Sequence, residues 1–301
     1  MWIKPVALLL LSTAVSQGAI NIDLFQTLEH DRFSNDDAFI ASGLDLSGVA
    51  IADTDAGGRW VSMISPNVFL SVHHASFFPA NGSPVTFFNS NDPLGASTTR
   101  TVLDSQRVGT SDIRIGVLDE PLPASYAYYD FATENLETFD GPGPEDEWFT
   151  SSPYYNQDAY LFGRSPTDWA DTAQDMAVGR NKLDGWVSDV EDTHDAILAG
   201  LDSSGDANFL AGEALLQVGD SGGPLIIDDG AGNLTIVGLN WFNEFGGVDL
   251  NGFSYVGDYA SEIQNYLDLN SVPEVKHFAL LSGILMLLFC SSSRATTQKN
   301  P

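Results

Sequence analysis

Short runs of alternating apolar and polar residues dominate the middle of the chain, and clusters of Gly, Pro, Asn and Asp separate them. The segments Asp158–Gly163, Leu234–Trp241 and Ile113–Val117 are typical of strands with one buried face. Ser261–Leu267 instead repeats its apolar residues at helical spacing. Between about residues 43 and 268 the pattern therefore predicts an all-β domain that ends in one helix.

One loop in this domain has a composition suited to acyl-transfer chemistry. Residues 219–224 read Gly-Asp-Ser-Gly-Gly-Pro and precede an apolar run. A serine nucleophile needs a base to take its proton and donors to hold the oxyanion. Glycines allow a sharp turn that aims the amides of Gly219 and Ser221 at one spot, the predicted oxyanion hole. The alternative is a turn capped by its serine, but average residue usage gives this string a chance probability of about 10⁻⁵.

This loop resembles the nucleophile loop of chymotrypsin-like serine proteases, the trypsin-like S1 type, and residues 61–75 resemble the strand, turn, strand and histidine corner of that family. Matching residues 69–74 to the family pattern puts the general base at His74, with His73 as the alternative. Ala75 stands where the family usually has a cysteine, so the neighbouring disulfide is absent. An isolated histidine is more often a surface or satisfied core residue, and the surrounding pattern is what favours catalysis here.

The resemblance also supplies the third member of a triad. Residues 111–123 resemble the family's strand that begins with an aspartate, which makes Asp112 the group that orients the imidazole. The order His, Asp, Ser differs from the subtilisin and α/β-hydrolase orders. The family implies two six-stranded antiparallel β-barrels with the site between them and a C-terminal helix. We expect residues 43–268 to form this domain and the barrels to meet near residues 131–144.

The family places the substrate side-chain pocket around the nucleophile loop. Its floor lies six residues before the serine, which is Leu215 here, and a wall follows Asn240, Trp241 and Phe242. Leu215 is not a carboxylate, and Phe242 replaces the usual glycine, so we predict a small or medium apolar residue before the scissile bond. The alternatives are a loop alignment wrong by one residue, with Phe242 pointing away, or a carboxylate that enters from the strand near Tyr255.

Activation is a separate question. Relatives that are cleaved from a zymogen pair a buried amino terminus with the aspartate before the nucleophile, here Asp220. The segment Leu44–Ala50 is expected near that place, but no basic residue precedes it directly, and Arg32 is the nearest. Either a different protease trims the region, or Asp220 has another partner.

The ends of the chain predict export. A basic start, an apolar run of about ten residues and a small-residue stretch indicate a signal peptide over residues 1–19, followed by an N-terminal extension at 20–42. Residues 272–301 resemble a bacterial PEP-CTERM sorting signal, in which an apolar helix follows a Val-Pro-Glu-Pro-like motif, although Val275 replaces the last proline. We expect a periplasmic, cell-surface or extracellular protein, with this segment as a sorting signal or a membrane anchor.

Composition agrees with export. Residues 20–276 carry nine basic and 41 acidic residues, a net charge of −32, which argues against nucleic acid or an anionic membrane as partner. Cys290 is the one cysteine, so the domain has no internal disulfide. Residues 202–208 offer alternating oxygen ligands for Ca²⁺ but lack the full loop pattern, and a solvated turn is favoured. We expect a monomer without cofactor or metal.

The sequence therefore predicts a secreted serine endopeptidase with Ser221 as nucleophile, His74 as general base and then acid, and Asp112 as its orienting partner. Protein or peptide is the expected substrate, hydrolysed through an acyl-enzyme. Two alternatives remain. One is an envelope-attached binding or adhesion module that keeps the fold without turnover, either silent or locked as a zymogen. The other is esterase action on non-peptide acyl groups at the same site.

Overall fold

The computed structural model of the chain describes residues 18–52, 59–74, 78–136, 150–167, 169, 171–190, 194–245 and 247–271. Nearly all of the predicted signal peptide, the whole predicted sorting segment at 272–301 and most of the predicted boundary between the barrels lie outside these residues. Among the described residues, no helix is long and apolar enough to span a membrane.

Strands are the main regular structure of the described chain. Among the described residues, the α-helices are α1 (Thr27–His30) and α2 (Ala260–Asn270). In chain order the strands are β1 (Asn21–Ile22), β2 (Val49–Ala52), β3 (Arg59–Met63), β4 (Val68–Val72), β5 (Pro84–Phe88), β6 (Ser97–Arg107), β7 (Ile113–Leu118), β8 (Asp130–Phe131), β9 (Asp158–Gly163), β10 (Ala177–Lys182), β11 (Gly185–Val190), β12 (His194–Gly200), β13 (Ala214–Leu215), β14 (Pro224–Asp228), β15 (Leu234–Phe245) and β16 (Val248–Tyr255).

The N-terminal half contains a closed barrel. Six antiparallel strands follow the order β2-β3-β4-β7-β6-β5, and pairing of β2 with β5 closes the ring. The C-terminal half is a second sheet in the order β10-β9-β14-β15-β16-β12-β11, with the short β8 added in parallel to β15. The predicted all-β class, the six-stranded first barrel and the C-terminal helix are confirmed. In the described part of the chain the second sheet has eight strands, whereas six were expected.

The strands β2 and β4 bury both of their faces. Phe69 and Ala50 belong to the interior of the first barrel, whereas Leu70 and Ile51 point the other way. That second face packs against residues of the C-terminal half such as Leu239. Two-sided burial explains why these strands read as nearly continuous apolar runs. It also brings the ends of β4 and β7 beside the second sheet, where the site lies.

Residues 20–42 pack into the same core. Phe33 and Phe39 are buried in the cluster between the two halves. The Arg32 side chain is fully buried, and its guanidinium donates to the carbonyls of Val49 and Phe88. The strand β1 pairs with β13, so this segment also contacts the chain just upstream of the nucleophile loop.

Candidate active site

Strand pairing brings the predicted histidine and aspartate together. The register of β4 and β7 aligns Val72 with Ile113, so the residues just beyond β4 meet those just before β7. The His73 amide donates to the Asp112 carbonyl at 2.7 Å, which extends the ladder by one step. The His74 amide then donates to Asp112 Oδ1 at 2.6 Å. The backbone amides of His73 and His74 thus hold Asp112 in place, independently of the His74 ring.

The three predicted triad residues lie within hydrogen-bonding distance of one another. His74 Nδ1 is 2.5 Å from Asp112 Oδ2, and His74 Nε2 is 2.9 Å from Ser221 Oγ. Asp112 is 5% exposed, whereas the His74 side chain is 25% exposed. A buried carboxylate therefore holds one imidazole nitrogen while the other nitrogen faces a serine hydroxyl. This is the geometry required of a base that takes a proton from a nucleophile.

Sequence reasoning missed one member of this cluster. Ser254 is fully buried on β16, and its Oγ donates to Asp112 Oδ2 at 3.4 Å. The two residues are 142 positions apart, and Ser254 belongs to no motif that would have indicated it. It supplies a further hydrogen bond to the carboxylate.

The loop before and around Ser221 is a tight turn. The Asp220 amide donates to the Gln217 carbonyl at 3.0 Å, and the Gly223 amide donates to the Asp220 carbonyl at 3.1 Å. Gly219 has a φ of 112°, a conformation that side chains other than glycine rarely adopt. Among the described residues, neither the Gly219 amide nor the Ser221 amide donates to a protein acceptor. Both predicted oxyanion donors therefore remain available to a ligand.

Asp220 has partners inside the protein. Its two carboxyl oxygens accept the amides of Arg164 and Gln217, each at 2.7 Å. Burial raises the pKa of Asp220 to about 8, and these amide donors oppose that rise. In the uncleaved chain, the Asp220 carboxyl group is therefore satisfied by backbone amides.

The N-terminal segment beside Asp220 is not the one expected. Leu44–Ala50 leads into β2 of the first barrel. Ile20 is the neighbour instead: a Cβ added to Gly163 would lie 2.5 Å from Ile20 Cβ and 2.8 Å from Asp220 Cγ. The cause is the pairing of β1 with β13, which the local sequence does not reveal.

A small cavity of about 120 Å³ opens beside Ser221. Its lining includes the predicted pocket residues Asn240, Trp241 and Phe242. Leu215, the predicted floor, is not among the lining residues, because it pairs with Asn21 in the β1–β13 ladder. The remaining lining residues are Leu216, Gln217, Val218 and Asn243.

Side-chain amides tie the walls of this cavity together. Asn243 Nδ2 donates to the Leu216 carbonyl at 2.9 Å. Asn251 accepts the Leu216 amide at 2.8 Å and donates to the Ala214 carbonyl at 2.7 Å. These bonds connect the segment before the nucleophile loop to β15 and β16, in a domain that contains no cysteine.

The Phe242 ring lies directly over Gly252 of the neighbouring strand. A Cβ added to Gly252 would lie 2.1 to 2.5 Å from three ring carbons of Phe242. The ring therefore occupies the space above Gly252, inside the cavity wall. An engineered cavity of roughly 150 Å³ binds benzene, so a space of about 120 Å³ suits a side chain smaller than a phenyl ring.

His73 and the turn at residues 202–208 lie outside this arrangement. The His73 ring stacks on Phe78, and its Nδ1 is 3.3 Å from Arg114 Nη1. Burial and the charges of Arg107 and Arg114 lower the pKa of His73. In residues 202–208, Asp206 accepts the Ser203 amide at 2.8 Å, as in a turn. The described part of the chain contains no group of three or more His, Cys, Asp or Glu residues that could hold a metal ion.

Comparison with known proteins finds likeness among solved structures. No family model matches the sequence, and no curated protein matches it. Among solved structures, the chain is similar to a mutant of human heparin binding protein, with 14% sequence identity and a TM-score of 0.48. The alignment covers 76% of this chain and 95% of that protein.

Proposed function

We propose that this protein is a secreted serine endopeptidase that hydrolyses peptide bonds through Ser221, His74 and Asp112. The observation that carries the proposal is the continuous hydrogen-bonded chain from Asp112 Oδ2 through both His74 nitrogens to Ser221 Oγ, at 2.5 and 2.9 Å. Two free amides at Gly219 and Ser221 support it. Export rests on the sequence of the two termini.

The chemistry follows from these positions. His74 Nε2 takes the proton of Ser221 Oγ as that oxygen bonds to the substrate carbonyl carbon, and the carbonyl π electrons move to oxygen. The Gly219 and Ser221 amides donate to this oxyanion. His74 then gives its proton to the leaving amine, and the C–N bond breaks to leave an acyl-enzyme. Water, deprotonated by the same imidazole, attacks the acyl carbon to give a second oxyanion. As this collapses, the bond from the acyl carbon to Ser221 Oγ breaks, His74 returns the proton to Oγ, and the carboxylic acid product leaves.

Asp112 has a supporting role in each step. Its Oδ2 accepts the Nδ1–H of His74, which leaves Nε2 free of a proton and aimed at Ser221. The carboxylate also stabilises the imidazolium that forms after proton transfer. The bonds from the His74 amide and from Ser254 hold the carboxylate in this orientation.

The small cavity supports a preference for a small or medium apolar residue before the scissile bond. Phe242 and Leu216 give it apolar walls, and the described lining contains no charged side chain. The small size of the cavity also favours the second candidate, a binding module of the same fold without turnover. A narrow cavity restricts which substrate side chains can enter.

Peptide hydrolysis by the purified protein tests this proposal. We expect cleavage of peptides with Ala or Val before the scissile bond, and its complete loss in Ser221→Ala with little change in the thermal melt. Ser203→Ala, at an exposed turn, is the matched control and should retain the rate. Comparing a peptide amide with its ester separates peptidase from esterase action. Wild-type-level cleavage by Ser221→Ala would rule out the assigned nucleophile, and no cleavage of either compound would favour the binding module.

A further inference from the structure

The orientation of the oxyanion donors depends on what holds the opposite ends of their peptide units. In a trans peptide the C=O and N–H bonds point in opposite directions. The Ser221 N–H belongs to the same peptide unit as the Asp220 carbonyl. Whichever group binds the Asp220 carbonyl oxygen therefore decides where the Ser221 N–H points.

Two donors bind that carbonyl: the Gly223 amide at 3.1 Å, from within the loop itself, and the side chain of Asn240, from the neighbouring strand. Asn240 Nδ2 donates to the Asp220 carbonyl at 2.8 Å and to the Phe162 carbonyl at 2.6 Å. Both neighbours are carbonyl oxygens, which only accept hydrogen bonds, so the amide nitrogen and not Oδ1 must face them. Asn240 is fully buried, so water does not compete for these two bonds.

The surrounding backbone is built to allow this contact. A Cβ added to Gly223 would lie 2.6 Å from Asn240 Nδ2, so only glycine at position 223 lets the amide reach the loop. The Asn240 backbone also bonds the loop on both sides, because its amide donates to the Gly223 carbonyl at 2.8 Å and its carbonyl accepts the Gly222 amide at 3.0 Å. Asn240 is thus joined to three residues of the nucleophile loop.

An unpaired polar atom of Asn240 also indicates a role for its donor group. Among the described residues, Asn240 Oδ1 is buried without a hydrogen-bond partner. An apolar side chain of similar size would leave no such orphan. The amide donor therefore serves a purpose that an apolar replacement does not, and its bond to the Asp220 carbonyl supplies one.

We propose that Asn240 is a positioning residue that orients the Ser221 N–H toward the oxyanion of the transition state. This inference rests on the proposed function and goes beyond the pocket-wall position that the sequence indicated for Asn240. Asn240 does not touch the substrate in this role. It acts through the Asp220–Ser221 peptide unit, and its loss should affect the transition state more than the bound substrate.

The test compares transition-state and ground-state affinity in Asn240→Leu, which keeps the size and removes the donor. We expect kcat to fall about 10- to 100-fold with KM nearly unchanged. This loss is below the roughly 10²- to 10³-fold effect of deleting an oxyanion donor, because the Ser221 amide is misoriented and not removed. Affinity for a peptide aldehyde, which forms a tetrahedral adduct, should fall in parallel, whereas affinity for the matching uncleaved peptide inhibitor should not. If the Leu variant does not fold, Asn240→Ser gives the same comparison with a smaller change.

Asn181 provides a matched control. It is also fully buried, and its Nδ2 donates to the Gly200 carbonyl at 2.9 Å and to Glu213 Oε2 at 2.8 Å, outside the nucleophile loop. Asn181→Leu should lower the thermal melt without changing the ratio of aldehyde to peptide affinity. A wild-type ratio in the Asn240 variants, or an equal change in Asn181→Leu, would overturn the role of Asn240 alone. A wild-type protein that neither cleaves peptides nor reacts at Ser221 would overturn the proposed function, and this inference with it.

Discussion

If the protein has the proposed peptidase activity, removing the Phe242 ring should widen its substrate specificity. The ring lies on Gly252 and forms part of the wall of a cavity of about 120 Å³. Phe242→Gly vacates that space, so a phenylalanine before the scissile bond gains room. Burying such a side chain contributes about 1.5–3 kcal/mol, which corresponds to a rise of roughly 10- to 150-fold in kcat/KM for a Phe substrate relative to an Ala substrate.

A substitution at Gly252, under the same ring, should narrow the cavity instead of widening it. Gly252→Ala places a methyl group 2.1 to 2.5 Å from the Phe242 ring carbons, so the ring must move. A displaced ring narrows the cavity and should lower kcat/KM for a Val substrate more than for an Ala substrate. In the Phe242→Gly background the same Gly252→Ala change should have little effect, because no ring remains to be displaced. This double-mutant cycle measures the contact itself.

The assay is kcat/KM for four peptides that differ only in Ala, Val, Leu or Phe before the scissile bond. Thermal melts accompany it, and the loss of stability in Phe242→Gly should stay below the roughly 3–5 kcal/mol of a fully buried phenylalanine, since Phe242 is only half-buried. An unchanged Ala-to-Phe preference in Phe242→Gly, or additive effects in the double variant, would refute the assignment of Phe242 as the residue that limits the cavity.

Three further changes have definite outcomes. Ser254→Ala removes the 3.4 Å bond to Asp112 and should lower kcat by less than His74→Ala does, in the same peptide assay. Burial raises the pKa of Glu213 from 4.5 to about 7, so the folded state binds this proton more tightly than the unfolded state does. The resulting stabilisation of about 3 kcal/mol is fully present below pH 4.5 and is lost as the pH rises through 7. Urea midpoints at pH 5 and 8 should therefore differ less in Glu213→Gln. Leu215→Asp should not create a preference for basic residues, and such a preference would restore Leu215 as the pocket floor.

The sequence was informative where function depends on contiguous residues. The loop at 219–224 and the strand that starts after Asp112 are local patterns, and so are the predicted strands Asp158–Gly163 and Leu234–Trp241, the second of which continues to Phe245 in the structure. In each case the backbone conformation is specified by neighbouring glycines or by alternation of apolar side chains. The burial of β2 and β4 on both faces also agrees with their composition.

Long-range pairing accounts for what the sequence did not reveal. Ile20 lies near Asp220, and Leu215 lies outside the cavity lining, because β1 pairs with β13. This pairing joins segments about 190 residues apart. Ser254 meets Asp112 through a contact between β16 and the residue that precedes β7, 142 positions earlier in the chain. The side chain of Asn240 reaches the Asp220 carbonyl because the strand order places β15 beside β14. Such contacts depend on tertiary structure that apolar periodicity does not encode.

The most direct test of the central claim is reaction of the purified protein with a fluorophosphonate, followed by mass mapping of the labelled peptide. This reagent reports an activated serine beside a working oxyanion hole and needs no knowledge of the natural substrate. The account predicts one phosphonylated residue, Ser221, and loss of labelling in His74→Ala and in unfolded protein. Labelling at another serine, or none at all in the folded protein, would contradict it.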